Sequence, residues 1–395
     1  MEILYITTDD ILRNSSANIR NASLVRGLED AGNKVTVLCL KRNTQDSHLK
    51  KILENIDIQY IFGTENAAYQ KENKTPSIKK QLKSIAIKLY NQIRIYDPLA
   101  RLVRKVTKES IPAVKPDVII SSSDPRSSHL LAEKIIKLID FKGKYIQYWG
   151  DPMLNDISSS FLMRPFLRMA EKRLLMLADL VVYTNDATIL QMEQTYGISS
   201  DKMTSIPTPC ASSEENHYQS ASSEKGQVSI GYFGEYYSTR RDIMPLINAI
   251  TSSNNYSLTI AGATDVKLPD NPNIKCFPKI SAAQVAELQN DTDILIVLEN
   301  KPKNTKSKQT VIQIPGKVFH YGVTNKKVLI IEETGLSKTA LDKYNRYYFC
   351  HNNVTDIVNA LKFMVADTDV NKSRPMQEFT PTSVASQLIN KINTL

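Results

Sequence analysis

The chain has 395 residues, 42% hydrophobic and 23% charged, with a formal net charge of +9. The length accommodates two domains, and the composition is that of a folded soluble protein rather than a low-complexity chain. The basic balance favours anionic partners (nucleic acid, acidic lipid headgroups or phosphorylated small molecules) without choosing among them.

In chain order, MEILYITTDD reads as the first strand of a domain, with no basic region or cleavage site of a signal peptide. A long helix follows NSSANI, and Arg20 and Asn21 fall near its start. KVTVLCL and IQYIF read as the next strands. The segment from Lys79 to Lys108 interleaves basic residues with Leu, Ile, Val and Tyr, against the single acid Asp97, and Pro98 is expected to split it into two helices. Such a surface suits an anionic membrane face. A helix packed on the sheet with a lysine-rich outer face competes with that reading. DVIISSS is a strand, and Asp124-Pro125 turns the chain into a helix from Ser127 to Ile139 that carries His129. KYIQYW ends on Trp149, followed by Gly150-Asp151-Pro152. An aromatic ring and a carboxylate after a strand suit sugar binding, the ring covering C–H faces and the acid taking hydroxyls. An ordinary turn aspartate beside a partly buried tryptophan is the competing reading. FLMRPFLRMAEKRLLML, from Phe161 to Leu177, is again basic and apolar and extends the Lys79–Lys108 patch. DLVVYT and a helix from Asp186 to Tyr196 complete the first half.

The serine-rich stretch 208–227 has no periodicity and reads as a linker. Strand–helix alternation then restarts with VSIGYFG, whose strand ends at Gly234. A helix is expected from Ser238 or Thr239, with Arg240 and Arg241 in its first turn. Cations there are misplaced against the helix dipole unless an anion docks. Two solvated arginines, some pairing with Asp242, are the alternative. YSLTIAG, IKCFP and DILIVLE follow, the last ending on Glu299, and then comes a lysine-rich loop. Pro315 and Gly316 open another helix at Lys317, the second basic helix start, with Gly316 allowing close approach of a ligand. A diphosphate with its nucleoside is the economical occupant of two such starts. KKVLII, YYFC and a closing helix end the chain.

This alternation predicts an α/β protein of two parallel-sheet domains: 1–207, a linker at 208–227, 228–378, and a C-terminal helix at 379–395. Ligands of such sheets sit beyond the carboxyl ends of the strands. Cys39, Cys210, Cys276 and Cys350 lie far apart and form no Cys/His cluster. Cys39 and Cys276 are expected to be buried thiols, in a reducing, cytosolic compartment. No run reaches the roughly 18 apolar residues of a membrane span.

The motifs together resemble GT-B glycosyltransferases of the family 4 type that build bacterial surface polysaccharides. SANIRNASLVRGLEDAGNKVTVLCL is similar to the family's opening helix and second strand, and YIQYWGDPM to its Asp-Pro-Trp region. ADLVVYTNDATILQMEQTYGISSDKMTSIPTP resembles the segment closing the first domain, and IPGKVFHYGVTNKKVLII the donor-site helix and strand. The resemblance implies two Rossmann-like domains facing a central cleft. It implies transfer of a sugar from a nucleotide-sugar donor to a glycan or lipid-linked acceptor, with retention of configuration and without a metal or other cofactor. Together with the residue readings above, it puts Gly234, Arg240, Arg241, Glu299, Gly316, Lys317 and His320 at the donor, Arg20, Asn21 and Trp149 at the acceptor, and Asp151 as the catalytic residue. The expected location is the inner face of the membrane, contacted through residues 79–108, with no nucleic-acid partner. The chain departs from the family at Ile312 and His320, where paired glutamates usually stand, and at Glu235, in place of an arginine. Those departures keep open a non-catalytic binding or scaffold subunit, and the same fold admits a nucleotide-sugar epimerase.

Overall fold

A computed structural model describes residues 1–41, 46–61, 94–155, 161–210, 226–301 and 314–395. The chain divides into two compact units, Met1–Pro209 with Pro381–Leu395, and Cys210–Thr380.

Unit 1 runs β1 (Glu2–Ile6), α1 (Ser16–Asp30), β2 (Lys34–Cys39), α2 (Ser47–Ile52), β3 (Asp57–Tyr60), α3 (Ala100–Val103), β4 (Val118–Ser122), α4 (Ser127–Leu138), β5 (Lys144–Tyr148), α5 (Arg164–Leu177), β6 (Leu180–Tyr183), α6 (Asp186–Tyr196) and β7 (Met203–Ser205). Its strands form one parallel sheet in the order β3-β2-β1-β4-β5-β6-β7. β4 is buried along its whole length, as a parallel strand covered on both faces must be. Local signals match the elements. Ser15 caps α1 by accepting from Asn18 N, Asn185 caps α6 by accepting from Thr188 N, and Gly197 ends α6 at φ 64°.

Unit 2 runs β8 (Val228–Phe233), α7 (Met244–Thr251), β9 (Tyr256–Ala261), β10 (Ile274–Phe277), α8 (Ala282–Asn290), β11 (Ile294–Leu298), α9 (Lys317–Gly322), β12 (Lys327–Glu332), α10 (Leu336–Leu341), β13 (Tyr348–His351) and α11 (Val354–Ala366). Its sheet is parallel, ordered β10-β9-β8-β11-β12-β13. In both sheets the order reverses beside the first strand, between β1 and β4 and between β8 and β11. The crevice beyond the strand ends at such a reversal is where doubly wound sheets hold ligands.

The last helix, α12 (Pro381–Asn393), belongs to unit 1 and buries Val384, Ala385, Leu388 and Ile392 in the core that contains Leu24, Val25 and Leu28 of α1. Gly27 makes that approach possible, because a Cβ there would stand 2.1 Å from the Pro381 carbonyl oxygen. β7 has no counterpart among the expected strands, being only Met-Thr-Ser. Cys39 is buried, but Cys276 is exposed on β10, an edge strand of its sheet. No helix among the described residues is long and apolar enough to cross a membrane.

Candidate functional site

In unit 2, β8 ends at Phe233 and Gly234 lies at the sheet's reversal. The chain does not enter a helix near Ser238 as expected. Asp265 takes Ser238 instead, accepting from its N at 2.8 Å and from its Oγ at 3.0 Å. Helix α7 starts only at Met244, with Pro245 in its first turn and Asp242 Oδ1 accepting from Met244 N at 3.1 Å. Arg240 and Arg241 therefore lie in the turn before the helix, not in it. Nor does Asp242 neutralise them, since its Oδ2 pairs with Lys301 Nζ at 2.8 Å.

Arg240 projects into solvent. Arg241 folds back, donating from Nη1 to the Glu235 carbonyl at 3.0 Å, and its buried Nε has no hydrogen-bond partner among the described residues. Helix α9 supplies the second cation. It is only six residues long, and its Val318, Phe319 and Tyr321 are buried. Phe319 meets Phe379 edge-on with ring centroids 5.2 Å apart, and Tyr347 Oη donates to the Val318 carbonyl at 3.0 Å. Lys317 and His320, three residues apart and hence neighbours on a helix, are each only partly exposed.

The Lys317 amine reaches across to Gly234. A Cβ on Gly234 would fall 1.4 Å from Lys317 Nζ, so any side chain there would displace the amine from its present place. The same amine lies 5.3 Å from the centroid of the Tyr232 ring, a cation–π distance. Burial, and secondarily the positive charge of Arg241, pull the Lys317 pKa down from 10.5 to about 7, and Glu235 offsets this only in part. Among the described residues, no carboxylate forms a salt bridge with it. Burial, reinforced by the charge of Lys317, takes His320 down to about 4, so its imidazole is neutral at pH 7. Gly316, by contrast, has nothing within 4 Å of a Cβ, so the protein's own packing does not require glycine there.

Glu299 is not presented to a ligand as expected. Its Oε2 accepts from Glu333 N at 2.9 Å and from Thr334 N and Oγ1 at 3.3 Å. Its Oε1 accepts from Ser337 N at 3.2 Å and from Ser337 Oγ. A carboxylate at the end of β11 thus holds the loop that follows β12. Ile312 and the lysines 303, 306 and 308 lie outside the described residues.

Unit 1 carries a second polar cluster at its own reversal. Arg20 is buried, donates to the Ser123 carbonyl, and sits with its guanidinium 5.3 Å from the Tyr148 ring centroid. A Cβ on Gly150 would stand 2.3 Å from Arg20 Nη1, so the glycine makes room for the arginine. Arg20 Nε has no partner among the described residues. Asn21 is fully buried, with Oδ1 accepting from Tyr5 Oη at 3.1 Å and from Ser122 Oγ at 2.8 Å. It bridges β1 to β4 rather than facing a ligand. Trp149 is likewise internal. It has no exposed surface, stacks on His129 at 4.2 Å between ring centroids, and donates from Nε1 to Gln147 Oε1 at 3.0 Å. A ring enclosed on all sides cannot cover a sugar. Asp151, two residues on, does reach solvent. His129 is hydrogen-bonded through Nδ1 to Ser121 Oγ at 2.7 Å, and burial and then the charge of Arg20 hold its pKa at about 3.

Sequence reasoning missed Glu171. The residue is fully buried in the middle of α5, and burial raises its pKa. It accepts from Met153 N, from Leu154 N at 3.0 Å and from Tyr196 Oη at 2.5 Å, holding the turn that follows Asp151. One signal of its inward position was available: in RPFLRMAEKRLLML it shares the helical face of Leu167, Leu174 and Leu175.

No family profile and no curated protein matches the sequence. Solved structures do match, over the full chain. HepE from Anabaena, in complex with UDP and glucose, superposes with a TM-score of 0.64 at 13% identity, covering 100% of both chains. Sucrose-phosphate synthase from Thermosynechococcus elongatus gives 0.63 at 13%, covering 100% of this chain and 98% of that one. UDP-GlcNAc 2-epimerase from Neisseria meningitidis, bound to UDP-GlcNAc, gives 0.54 at 12%, covering 100% of both. At such identity the likeness is one of fold: two parallel-sheet α/β units of the GT-B type.

Proposed function

We propose that the protein is a glycosyltransferase that moves a sugar from a nucleotide-sugar donor to a glycan or lipid-linked acceptor in bacterial surface-polysaccharide synthesis, with retention of configuration. The observation that carries this reading is the pair Lys317 and Arg241 at the carboxyl end of β8. Burial and the arginine's charge depress the lysine, and no carboxylate pairs with it among the described residues. An arginine and a lysine that a bound anion would protonate, brought to one strand end, match a dianionic diphosphate.

Transfer breaks the bond between the sugar's anomeric carbon and the diphosphate oxygen, and negative charge grows on the leaving group. Fixed cations there stabilise the transition state, each worth a few kcal/mol. The neutral His320 imidazole, one helical turn from Lys317, serves the ribose or the sugar. Exposed Asp151 takes acceptor hydroxyls, and Arg20 an acceptor anion. The ligands bound by HepE and by the epimerase, UDP with glucose and UDP-GlcNAc, support a uridine nucleotide as the first donor to test.

The test is a thermal-shift comparison of UDP, GDP, dTDP, CMP and ADP on the wild type, Lys317→Ala and Arg240→Ala/Arg241→Ala. Ligand at about 100 times its dissociation constant stabilises by about 2.7 kcal/mol. We expect one nucleoside diphosphate to stabilise the wild type and neither variant. No shift with any nucleotide would sink the donor site. Incubating the matching nucleotide sugar without acceptor then separates transfer from epimerisation, because only an epimerase yields an isomeric nucleotide sugar.

A further inference from the structure

We infer that the outer face of α5 is a docking surface for an anionic lipid bilayer. This stands independently of the donor-site reading. Helix α5 is apolar on two sides. Its inner side, Leu167, Leu174 and Leu175, is buried in unit 1. Its outer side carries a stripe of large apolar residues: Leu162 just before the helix is 79% exposed, Phe166 54%, Met169 71% and Met176 61%. Their spacing of four, three and seven residues places them along one helical face.

The exposed charged side chains of the helix itself are all basic. Arg164, Arg168, Lys172 and Arg173 lie on the helix, and Lys202 joins them where its Nζ donates to the Met176 carbonyl at 2.9 Å. The helix's one acid, Glu171, is turned inward and taken up by the amides of Met153 and Leu154. Arg173 is partly neutralised by Glu133 at 2.8 Å, and Arg168 donates to the Thr195 carbonyl at 2.6 Å, with no carboxylate paired to it among the described residues. A row of apolar side chains flanked by cations is what an anionic headgroup layer receives, the rings and thioethers entering the acyl boundary while the cations meet phosphate. A second copy of the chain fits less well, because a two-fold contact through this helix would set the cations against one another.

The described part of the basic segment 79–108 offers no comparable face. Val103 and Val106 are buried there, and Arg101, Arg104, Lys105 and Lys108 make a purely polar exterior.

The measurement is co-sedimentation of the full chain with vesicles of equal parts phosphatidylglycerol and phosphatidylcholine, and with vesicles of phosphatidylcholine alone. Lys172→Gln and Phe166→Ser/Met169→Ser change only exposed side chains, so thermal midpoints should match the wild type. We expect binding to the anionic vesicles only, weakened roughly fivefold by Lys172→Gln and roughly tenfold or more by the double variant. Three results would overturn the inference: no vesicle binding by the wild type, undiminished binding by both variants, or equal binding to neutral vesicles. A concentration-dependent dimer that dissociates in the double variant, without vesicle binding, would assign the stripe to self-association instead.

Discussion

A lysine whose amine lies against a glycine α-carbon and an aromatic ring is held where its charge is unwelcome. Lys317 gives up its proton near pH 7 in the folded protein and near 10.5 when unfolded. Between those values the unfolded chain binds the extra proton, so stability from this residue rises with pH across the window, and below pH 7 the full penalty remains. Lys317→Met should remove that rise, and urea unfolding of both proteins at pH 7 and pH 10 would show it. A bound diphosphate reverses the preference by favouring the charged amine. Above pH 7 binding must therefore take up a proton, and affinity falls by up to about tenfold per pH unit. Calorimetry at pH 8 in buffers of different ionisation heat reads the uptake directly. At pH 7 the same Lys317→Met variant should bind the nucleotide about 10- to 100-fold more weakly, the magnitude of a lost hydrogen bond to a charged group, with no loss of ligand-free stability. Trp149 calls for the opposite pattern. As a core ring it should cost about 3–5 kcal/mol when cut to alanine, whereas Trp149→Phe should keep acceptor affinity unchanged, and a saturation curve for acceptor would expose any sugar contact.

Among the elements, the strands are legible in the sequence because parallel strands covered on both faces are written as short apolar runs, DVIIS and DILIVL being the plainest. β7 is not, since three residues carry no period. The helix expected at Ser238 is misplaced for a different reason. A serine before a helix and a serine gripped by a distant aspartate look alike in sequence, and only the fold brings Asp265 to Ser238. Lys317 and Gly234 each stand out along the chain, yet their contact spans two separate crossovers of the sheet and is invisible there. The two loop-holding glutamates show the same limit. Glu171 is hidden among the bases of its helix, and Glu299 reads as facing a ligand, though each spends its oxygens on backbone amides of a loop beyond a strand end. Glu299→Ala strands the amides of Glu333, Thr334 and Ser337, and should destabilise the ligand-free protein by about 1–3 kcal/mol or more. A residue serving only the ribose would leave ligand-free stability untouched, so denaturant melting without nucleotide distinguishes the two roles.

At the scale of the whole molecule, the decisive feature is that unit 1 is closed by the end of the chain. Its core includes Val384, Ala385, Leu388 and Ile392, which follow unit 2 in sequence. Fully burying four such side chains is worth about 1.5–3 kcal/mol for each large one, a sum on the scale of the roughly 5–15 kcal/mol that holds a domain together. Ending the chain at Thr380 should therefore unfold unit 1 while leaving unit 2, whose sheet and cores are contained within residues 210–380, intact. Gly27→Val is the milder form of the same test, because its side chain collides with the Pro381 carbonyl without removing α12. If unit 2 holds the donor site, both variants should still be stabilised by the nucleoside diphosphate while losing transfer. Calorimetry of the truncated chain should show one nucleotide-sensitive transition where the full chain shows the melting of both units. A truncated chain that melts like the full one would mean that α12 contributes little, and that the apolar face of α1 finds other cover.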